Sequence, residues 1–501
     1  MNKKTLHLLW GTFFICILGL FCYLRLKPIL LMAVPYTYDQ GRDLLKAAEI
    51  VLYHHLTFIG PTTGIMGVFH GVWWFYVAAI SFVLFKGNPV GIYLLIFFTY
   101  LCSLLTIAYF LHKQEKFLEI FIFSLLIALS PYFIFISIFA ANNVMAPPMV
   151  LGLMVTTYIL LTRASNKKTA LLAGLTGLFL GFVAEFEFAF GIFIIPSFII
   201  LSLIYPSLRV KMYRLNSLLF FAAGLFTAFI PRILFEFKNG FHQTLILLNF
   251  FVKPKLYNPK PFIDIVRDRT DLFIHYYRQI FPNDFTMYLF TTVSFVFLFL
   301  IVRHKDKERL KIVSFYAVFT LLLFIFSLFY KDNFWGNYYE GIQYMFLMVT
   351  ISLFMGVPKE MKRIGTILKG VILFTLIISG GIVLNQAIHS PEPQDGLVIQ
   401  SRVVGEIEKR EKNKEYCVKI YTPPVIPYTY NYLFLYNSIK GNLPEPKTDW
   451  VQGKCWFIIE SDDVAKRRQD WIEGNIPSNA IARETFTIYR VNLYLYEKPA
   501  P

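Results

Sequence analysis

A polar stretch between two apolar segments, residues 35–76, concentrates the side chains that could do chemistry. It reads PYTYDQGRDLLKAAEIVLYHHLTFIGPTTGIMGVFHGVWWFY. Asp39 stands at the head of a short amphipathic pattern, and a carboxylate beside apolar walls is suited to accept a proton from a hydroxyl group. Asp is also a favoured helix N-cap, a role that stabilises a helix start by about 1 kcal/mol. Both roles can coexist in Asp39.

Two cations follow Asp39 on the same predicted helix, Arg42 and Lys46, one turn apart. They could form ion pairs with Asp43, since side chains close together along a helix meet. Arg42 could instead bind the phosphate of a lipid, because a guanidinium matches phosphate oxygens in both geometry and charge. The residues alone leave these two interpretations open.

Three histidines lie in or near the same stretch, His54, His55 and His70. Their spacing matches no pattern of metal ligands. His70 is retained as a polar candidate in an aromatic segment. The histidines by themselves do not predict a metal centre.

Polar residues in other segments could complete a site. Glu185 and Glu187 end an apolar run, where a carboxylate is costly unless it faces a polar cavity or a partner. Asn143 lies in a brief polar turn. Tyr338 and Tyr339 precede a late apolar run, where aromatic residues are typical of the membrane interface.

The rest of the chain is strongly apolar. Of its 501 residues, 56% are hydrophobic and only 16% are charged, with a mean hydropathy of +0.54. This composition excludes an ordinary soluble domain and indicates a polytopic protein, which we place in the cell membrane. The net charge of +16 comes from Lys and Arg between apolar runs, the pattern that encodes topology, so nucleic acid is not an expected partner. No nucleotide-binding or serine-hydrolase motif is present.

Eleven apolar runs are long enough to cross a hydrocarbon core of about 30 Å. Laying segment 67–85 along the membrane surface puts every basic connector on the cytoplasmic side. The N-terminus is then cytoplasmic and the C-terminus outside, with a first outer loop at 30–88 and a long outer loop at 236–285. In the long loop, Glu236 follows Arg232 by one turn and predicts a structural ion pair. Farther along this loop, residues 262–280 have a helical apolar period that Arg269 interrupts, and we expect them to lie along the membrane surface. The runs lie near 8–29, 89–111, 117–138, 146–163, 169–187, 188–207, 215–235, 286–303, 311–330, 338–356 and 366–386.

The predicted fold class is therefore an α-helical polytopic membrane protein with a small extracytoplasmic α/β domain. The membrane domain covers residues 1–388, and the tail at 389–501 alternates helix-like with strand-like patterns. Cys417 and Cys455 lie in this tail. They could pair in a disulfide if the tail is outside the cytoplasm, and the sequence leaves that pairing open.

The first outer loop resembles that of the C-type (GT-C) glycosyltransferases, most closely the protein-mannosyltransferase and aminoarabinose-transferase-like enzymes. The resemblance rests on DQGRD (39–43), the helix after it, IGP (59–61) and the aromatic segment GVWWFY (71–76). It extends to the order of spans and outer loops over about 390 residues. It implies an enzyme that transfers a sugar, with inversion, from a polyprenyl-phosphate donor to an acceptor hydroxyl on the extracytoplasmic face. Asp39 would be the general base, with Arg42, Tyr338 and Tyr339 near the donor phosphate.

The sequence departs from the family at two places. The family often has Asp-Glu where this chain has Asp39-Gln40, and an acidic residue where it has Asn142-Asn143. A hard divalent cation needs more carboxylate oxygens than these positions offer. A metal-free mechanism without a cofactor is therefore favoured. A divalent cation stays possible, because Glu185 and Glu187 could supply the missing carboxylates. With His70 and Asn143, these glutamates could line a polar cavity for the acceptor or a metal.

Two other functions stay open at this stage. A flippase or transporter of lipid-linked sugars would suit the many spans, but predicted spans such as 117–138 and 311–330 lack charges at mid-membrane depth. A non-catalytic envelope assembly protein would use the C-terminal domain. The acceptor could be a lipid, a polysaccharide or a protein.

Overall fold

The computed structural model describes residues 3–163, 168–253, 260–330, 334–411, 414–423, 425–441 and 443–498. Up to residue 388 these residues form helices, with short 3-10 helices at Asn142–Met145, Gly336–Tyr339 and Lys359–Met361. The α-helices are α1 (Lys3–Leu30), α2 (Tyr38–Leu52), α3 (Trp73–Leu84), α4 (Val90–Lys113), α5 (Phe117–Leu129), α6 (Pro131–Ile136), α7 (Ala146–Thr162), α8 (Thr169–Phe186), α9 (Phe188–Ile204), α10 (Pro206–Met212), α11 (Leu215–Lys238), α12 (His242–Val252), α13 (Phe262–Arg278), α14 (Asp284–Arg303), α15 (Lys307–Ser327), α16 (Ile342–Met355) and α17 (Lys362–Ile388).

Each of the eleven predicted spans corresponds to a helix, and the chain is a multi-pass membrane protein. Within the described ranges, eight helices are long and apolar enough to cross a membrane. Helices α9 and α10 would make a ninth if counted as one span, but they are bent by 102° at their junction. Helices α5 and α16, with 13 and 14 residues, are shorter than the roughly 20 residues that a full crossing needs.

The predicted run 117–138 is interrupted because Pro131 cannot continue α5. A buried arginine stabilises the break. Arg25 of α1 donates hydrogen bonds to the carbonyl oxygens of Ile127 (3.0 Å) and Ala128 (3.1 Å), in the last turn of α5. A cation at a helix C-terminus satisfies exposed carbonyl groups and complements the helix dipole.

The aromatic segment 67–85 contains only one short helix, α3, of 12 residues. At 1.5 Å per residue this helix is about 18 Å long, less than the thickness of a hydrocarbon core. It packs against α2 and α4. The first loop is therefore built from two short helices, α2 and α3, which lie against each other.

The tail forms helices around a four-stranded sheet, as the alternating pattern predicts. The strand order is β1-β2-β4-β3, with β1 and β2 parallel and the other pairs antiparallel. Cys417 and Cys455 form a disulfide beside the first pair of strands. The elements are α18 (Leu397–Glu411), β1 (Val418–Tyr421), α19 (Tyr428–Ile439), β2 (Lys454–Glu460), α20 (Ala465–Asn475), β3 (Ile481–Ile488) and β4 (Val491–Glu497).

The sequence patterns did not predict α19, yet this helix joins the tail to the first loop. The Tyr36 hydroxyl donates to the carbonyl oxygen of Thr429 (3.4 Å), and the rings of Tyr38 and Tyr428 lie 4.9 Å apart. Gly41 of α2 permits this approach, because a Cβ atom there would lie 2.4 Å from the backbone nitrogen of Thr429. The glycine of DQGRD thus serves a close helix contact.

We predict that Gly41→Ala destabilises the contact between α2 and α19. The added methyl group would meet backbone atoms, which cannot rotate away, and overpacking of this kind costs about 1–3 kcal/mol. The melting temperature of the purified protein, followed by intrinsic fluorescence, should fall by several degrees.

Gly405→Ala is the matched control, because Gly405 also lies in a helix and an added Cβ would meet no atom within 4 Å. Alanine is the better helix former by roughly 0.5–1 kcal/mol, so this variant should melt at the same temperature or higher. Equal melting temperatures for Gly41→Ala and the wild type would contradict the close contact.

Candidate functional site

Helix α2 begins with a capping interaction that does not involve Asp39. Thr37 is the N-cap, and the side-chain oxygen of Gln40 accepts hydrogen bonds from its backbone N–H (2.7 Å) and hydroxyl (2.6 Å). The amide of Gln40 also donates to the carbonyl oxygen of Ala140 (2.7 Å). The proposed capping role of Asp39 is therefore wrong, since the cap lies two residues earlier. Gln40 thus joins the first loop to the segment before the 3-10 helix Asn142–Met145.

Asp39 and Asp43 share one cation, Arg42. Arg42 Nη1 lies 2.9 Å from Asp39 Oδ1, while its Nε and Nη2 each lie 2.8 Å from Asp43 Oδ1. Trp74 of α3 donates its indole N–H to the other oxygen of Asp43 (2.7 Å). The Asp39 side chain is 57% exposed and that of Asp43 is 3% exposed. Asp43 thus fixes Arg42, and Arg42 orients the exposed carboxylate of Asp39.

Burial raises the pKa of the Asp43 carboxyl to about 6, although Arg42 and Trp74 both favour its ionised form. Lys46 pairs with Glu49 (2.7 Å). Of the two interpretations of Arg42, ion pairing with neighbouring carboxylates is the one observed. A contact of Arg42 with a lipid phosphate stays a prediction.

The turn between α2 and α3 packs tightly against α8. The backbone N–H of Gly60 donates to the carbonyl oxygen of His70 (3.0 Å), and that of Gly71 donates to the carbonyl oxygen of Glu185 (2.7 Å). Any Cβ atom at Gly71 would overlap the Glu185 side chain. His70 Nδ1 accepts from the backbone N–H of Phe188 (3.4 Å). The turn therefore brings His70 and Glu185 together.

His70 is a neutral imidazole in this environment. Burial, reinforced by the nearby charges of Arg232 and Arg42, lowers its pKa to about 3. Among the described residues, no group of three or more His, Cys, Asp and Glu side chains could hold a metal ion. A reaction without a metal stays a prediction.

A buried ion pair lies beside this turn. Arg232 Nε of α11 lies 2.6 Å from Glu185 Oε1, and Arg232 Nη1 donates to the carbonyl oxygen of Phe69 (2.9 Å). The predicted ion pair between Arg232 and Glu236 is wrong. Glu236 instead accepts hydrogen bonds from the backbone N–H (2.9 Å) and the hydroxyl (2.7 Å) of Thr244, because its carboxylate caps α12.

Glu187 lies at the junction of α8 and α9, fully buried, where one oxygen accepts from the backbone N–H of Ala189 (3.3 Å). Its other oxygen has no hydrogen-bond partner in the described part of the chain. Glu340 is a second buried acid, and it accepts from the hydroxyl of Tyr132 (2.7 Å). Asn143 is buried in the 3-10 helix before α7. The sequence patterns did not single out Tyr132, because its role depends on the broken helix after α5.

The two tyrosines of the 3-10 helix before α16 lie in different contacts. Tyr339 shares a hydrogen bond with the Ser327 hydroxyl (2.5 Å). The Tyr338 hydroxyl lies so close to Gly64 of the first loop that a Cβ atom added there would overlap it. Both side chains are buried. Tyr338 therefore connects the late helices with the first loop, whereas Tyr339 packs within the late helices.

Arg269 of α13 is a further candidate that the sequence patterns signalled only as a break in an apolar period. Its side chain is buried, and the guanidinium carbon lies 3.8 Å from the centre of the Phe334 ring. Its Nε donates to the carbonyl oxygen of Ser327 (3.4 Å). The neighbouring Asp268 pairs with Lys260. Within the described ranges, Arg269 forms no ion pair.

An apolar groove of about 560 Å³ runs beside Arg269, between α13, α14, α15 and α16. Its wall begins at Thr270, the residue after Arg269, and includes Phe273, whose ring contacts Tyr339. The groove continues towards Leu298 and Leu353. Arg269 itself does not line the groove, but it adjoins Thr270, where the α13 wall begins.

The architecture is the GT-C glycosyltransferase fold. The crystal structure of ArnT from Cupriavidus metallidurans bound to undecaprenyl phosphate superposes with a TM-score of 0.60 over 99% of this chain and 98% of that one. Its sequence is 8% identical to this chain. The apo structure of the same protein gives a TM-score of 0.59 at 10% identity, over 98% of both chains. At these identities the likeness concerns the fold.

A crystal structure of the Archaeoglobus fulgidus oligosaccharyltransferase in complex with Zn and sulfate also matches, with a TM-score of 0.46 at 11% identity. It covers 87% of this chain and 62% of that one. No family model and no curated protein sequence matches this chain.

We predict that Asp43 titrates in the folded protein with a midpoint near pH 6, and that Trp74 reports it. Fluorine NMR of protein labelled with 5-fluorotryptophan should give a Trp74 resonance that shifts around this pH, because the indole N–H donates to Asp43. The resonance is assigned by its loss in Trp74→Phe. Asp43→Asn should abolish the shift, while Glu49→Gln should leave it unchanged.

The same titration affects stability. The folded-state pKa of Asp43 lies above its ordinary value of 3.8, so its contribution to stability is fully present below about pH 4 and is lost as the pH rises through about 6. Asp43→Asn should remove this pH dependence from the melting temperature. A Trp74 resonance that is constant between pH 4 and 8 would contradict the prediction.

Proposed function

We propose that this protein is an integral membrane glycosyltransferase that moves a sugar from a polyprenyl-phosphate donor to an acceptor hydroxyl, with inversion. The main support is the position of Arg269, a buried cation beside an apolar groove between membrane helices. Such a pair suits a ligand with one anionic end and a long hydrocarbon chain. The fold likeness to ArnT, whose structure contains undecaprenyl phosphate, supports the same donor class.

In this proposal Arg269 binds the donor phosphate. A guanidinium forms charge-assisted hydrogen bonds with phosphate oxygens, and these are strengthened where water is excluded. Its ring contact with Phe334 and its hydrogen bond to Ser327 hold it in place. The groove receives the polyprenyl chain, since burying each CH₂ group contributes about 0.8 kcal/mol. Tyr339 lies at the junction of the two and is a second phosphate contact.

Asp39 is the general base in this mechanism. As the acceptor oxygen attacks the anomeric carbon, Asp39 takes the hydroxyl proton, and the new bond forms from that oxygen to carbon. The bond between the anomeric carbon and the phosphate oxygen breaks, and the electron pair leaves with the polyprenyl phosphate. Arg269 stabilises this charge. Arg42 orients Asp39 through their 2.9 Å contact.

The site faces outward in this proposal, with the N-terminus in the cytoplasm and the protein in the cell membrane. The disulfide between Cys417 and Cys455 supports an extracytoplasmic tail, because disulfides persist in oxidising compartments. A division into a membrane domain at 1–388 and an extracytoplasmic domain at 389–501 is consistent with the helices and the sheet.

We expect Asp39→Asn to reduce sugar transfer or sugar release by about 10²–10⁴-fold, the usual contribution of a general base. Binding of the polyprenyl phosphate should be unchanged, because the amide keeps the size of the carboxylate and the proposal assigns the donor phosphate to Arg269. The assay uses purified protein with polyprenyl-phosphate sugars and follows the release of the lipid phosphate.

Glu49→Gln is the control, since Glu49 is an exposed acid on the same helix. It should retain full activity. Transfer by Asp39→Asn at the wild-type rate would refute Asp39 as the base, and a transporter or assembly function would then be preferred.

Arg269→Gln should weaken the binding of undecaprenyl phosphate by roughly 10–100-fold, the loss of a hydrogen-bonded charge pair worth about 1.5–3 kcal/mol. Tryptophan fluorescence or native mass spectrometry would measure the affinity. Arg267→Gln is the control, because Arg267 is an exposed arginine one half-turn away on α13. Equal losses in both variants would indicate only a general effect of positive charge.

A further inference from the structure

A second cavity, of about 790 Å³, lies between the first loop and the tail. Thr37 and Tyr38 form one wall. The opposite walls come from Gln400 of α18 and from the two chain segments that contain Ser461 and Arg490. The wall on the first loop ends at Tyr38, one residue before Asp39. The proposed donor site uses none of these residues.

The lining of this cavity mixes polar and apolar side chains, and its charges nearly balance. Two carboxyl groups, Asp395 and Glu460, face one guanidinium, Arg490, among the described residues that line it. The side-chain amides of Gln394 and Gln400 add both donors and acceptors. A ligand that carries many hydroxyl groups can satisfy such a mixture. A phosphorylated or sulfated ligand would meet more carboxylates than cations.

Part of this lining is held rigidly in place. Glu460 Oε1 accepts hydrogen bonds from the Tyr430 hydroxyl (2.8 Å) and from Gln400 Nε2 (3.1 Å). The carboxamide oxygen of Gln400 is buried and has no hydrogen-bond partner in the described residues. A buried acceptor without a donor is uncommon.

We infer that this cavity binds the acceptor, and that the acceptor is a neutral, hydroxyl-rich saccharide. Its volume lies within the roughly 300–1,000 Å³ of ligand pockets and is sufficient for a short oligosaccharide. Tyr38, the residue before Asp39, is part of the lining, so the cavity reaches the segment that carries the proposed base. The inference rests on the proposed transferase function, because it identifies the molecule whose hydroxyl group Asp39 deprotonates.

The test measures saccharide binding without sugar transfer. The full chain in lipid nanodiscs is incubated with biotinylated oligosaccharides of glucose, mannose, galactose and N-acetylglucosamine, and with uronic-acid and sulfated oligosaccharides. Binding of undecaprenyl phosphate is measured in parallel. Ser461→Trp places a large ring in the cavity, whereas Ser478→Trp places the same ring at an exposed serine outside it.

The wild type and Ser478→Trp should bind at least one neutral oligosaccharide, and Ser461→Trp should bind it at least tenfold more weakly. All three should bind undecaprenyl phosphate equally. If Ser461→Trp does not fold, as judged by its melting temperature, the double variant Gln394→Ala/Asp395→Ala replaces it, because both residues are exposed. The same tenfold loss is then expected.

Failure of this inference is distinguishable from failure of the proposed function. Binding of undecaprenyl phosphate without any neutral saccharide, preferential binding of acidic saccharides, or equal saccharide binding by both tryptophan variants would overturn the acceptor site alone. Saccharide binding that Ser461→Trp weakens, without any binding of undecaprenyl phosphate, would support the cavity and refute the donor. Loss of both ligands in the wild type would refute both proposals.

Discussion

The ion pair between Arg232 and Glu185 is the contact on which the arrangement of the first loop depends. It joins α11 to α8, and the same guanidinium holds the carbonyl oxygen of Phe69 in the first loop. Gln243 of α12 accepts a hydrogen bond from the backbone N–H of Phe69, so α12 is joined as well. Removing one partner of a buried pair costs about 3–5 kcal/mol, because the other charge stays buried. Three parts of the chain that are far apart in sequence, the first loop, α8 and the consecutive helices α11 and α12, thus meet at this ion pair.

Much of the fold could be predicted because membrane helices are encoded locally. Long apolar runs and basic connectors located eleven helices, and alternation located the strands of the tail. The breaks were not predicted, because hydropathy does not register Pro131 or the arginine that stabilises the α5 terminus. The cap of α2 was misplaced for a related reason, since Asp39 and Thr37 are both good cap residues and only the backbone geometry distinguishes them.

The candidate site was predicted in part, where its residues are neighbours in sequence. Asp39 and Arg42 are three residues apart, so their contact follows from helical spacing. The contact between the adjacent residues Arg42 and Asp43 does not follow from that spacing. Arg232 was assigned to Glu236, its neighbour along the helix, but the structure offers it Glu185 from another helix. Arg269 was visible only as a charge in an apolar period. The proposed role of Arg269 depends on a groove that four helices form together, and no local sequence pattern predicts that groove.

The contact between Gly41 and α19 has a consequence for the biogenesis of the protein. The segments that meet there are far apart in the chain, since Tyr36 and Thr429 are separated by 393 residues. At 5–20 residues per second, the ribosome needs roughly 20–80 s to make that interval. During this time the surface of α2 that receives α19 is uncovered, long after the first helices have been made. Quality control therefore meets this membrane protein with that surface of α2 uncovered until α19 has been made.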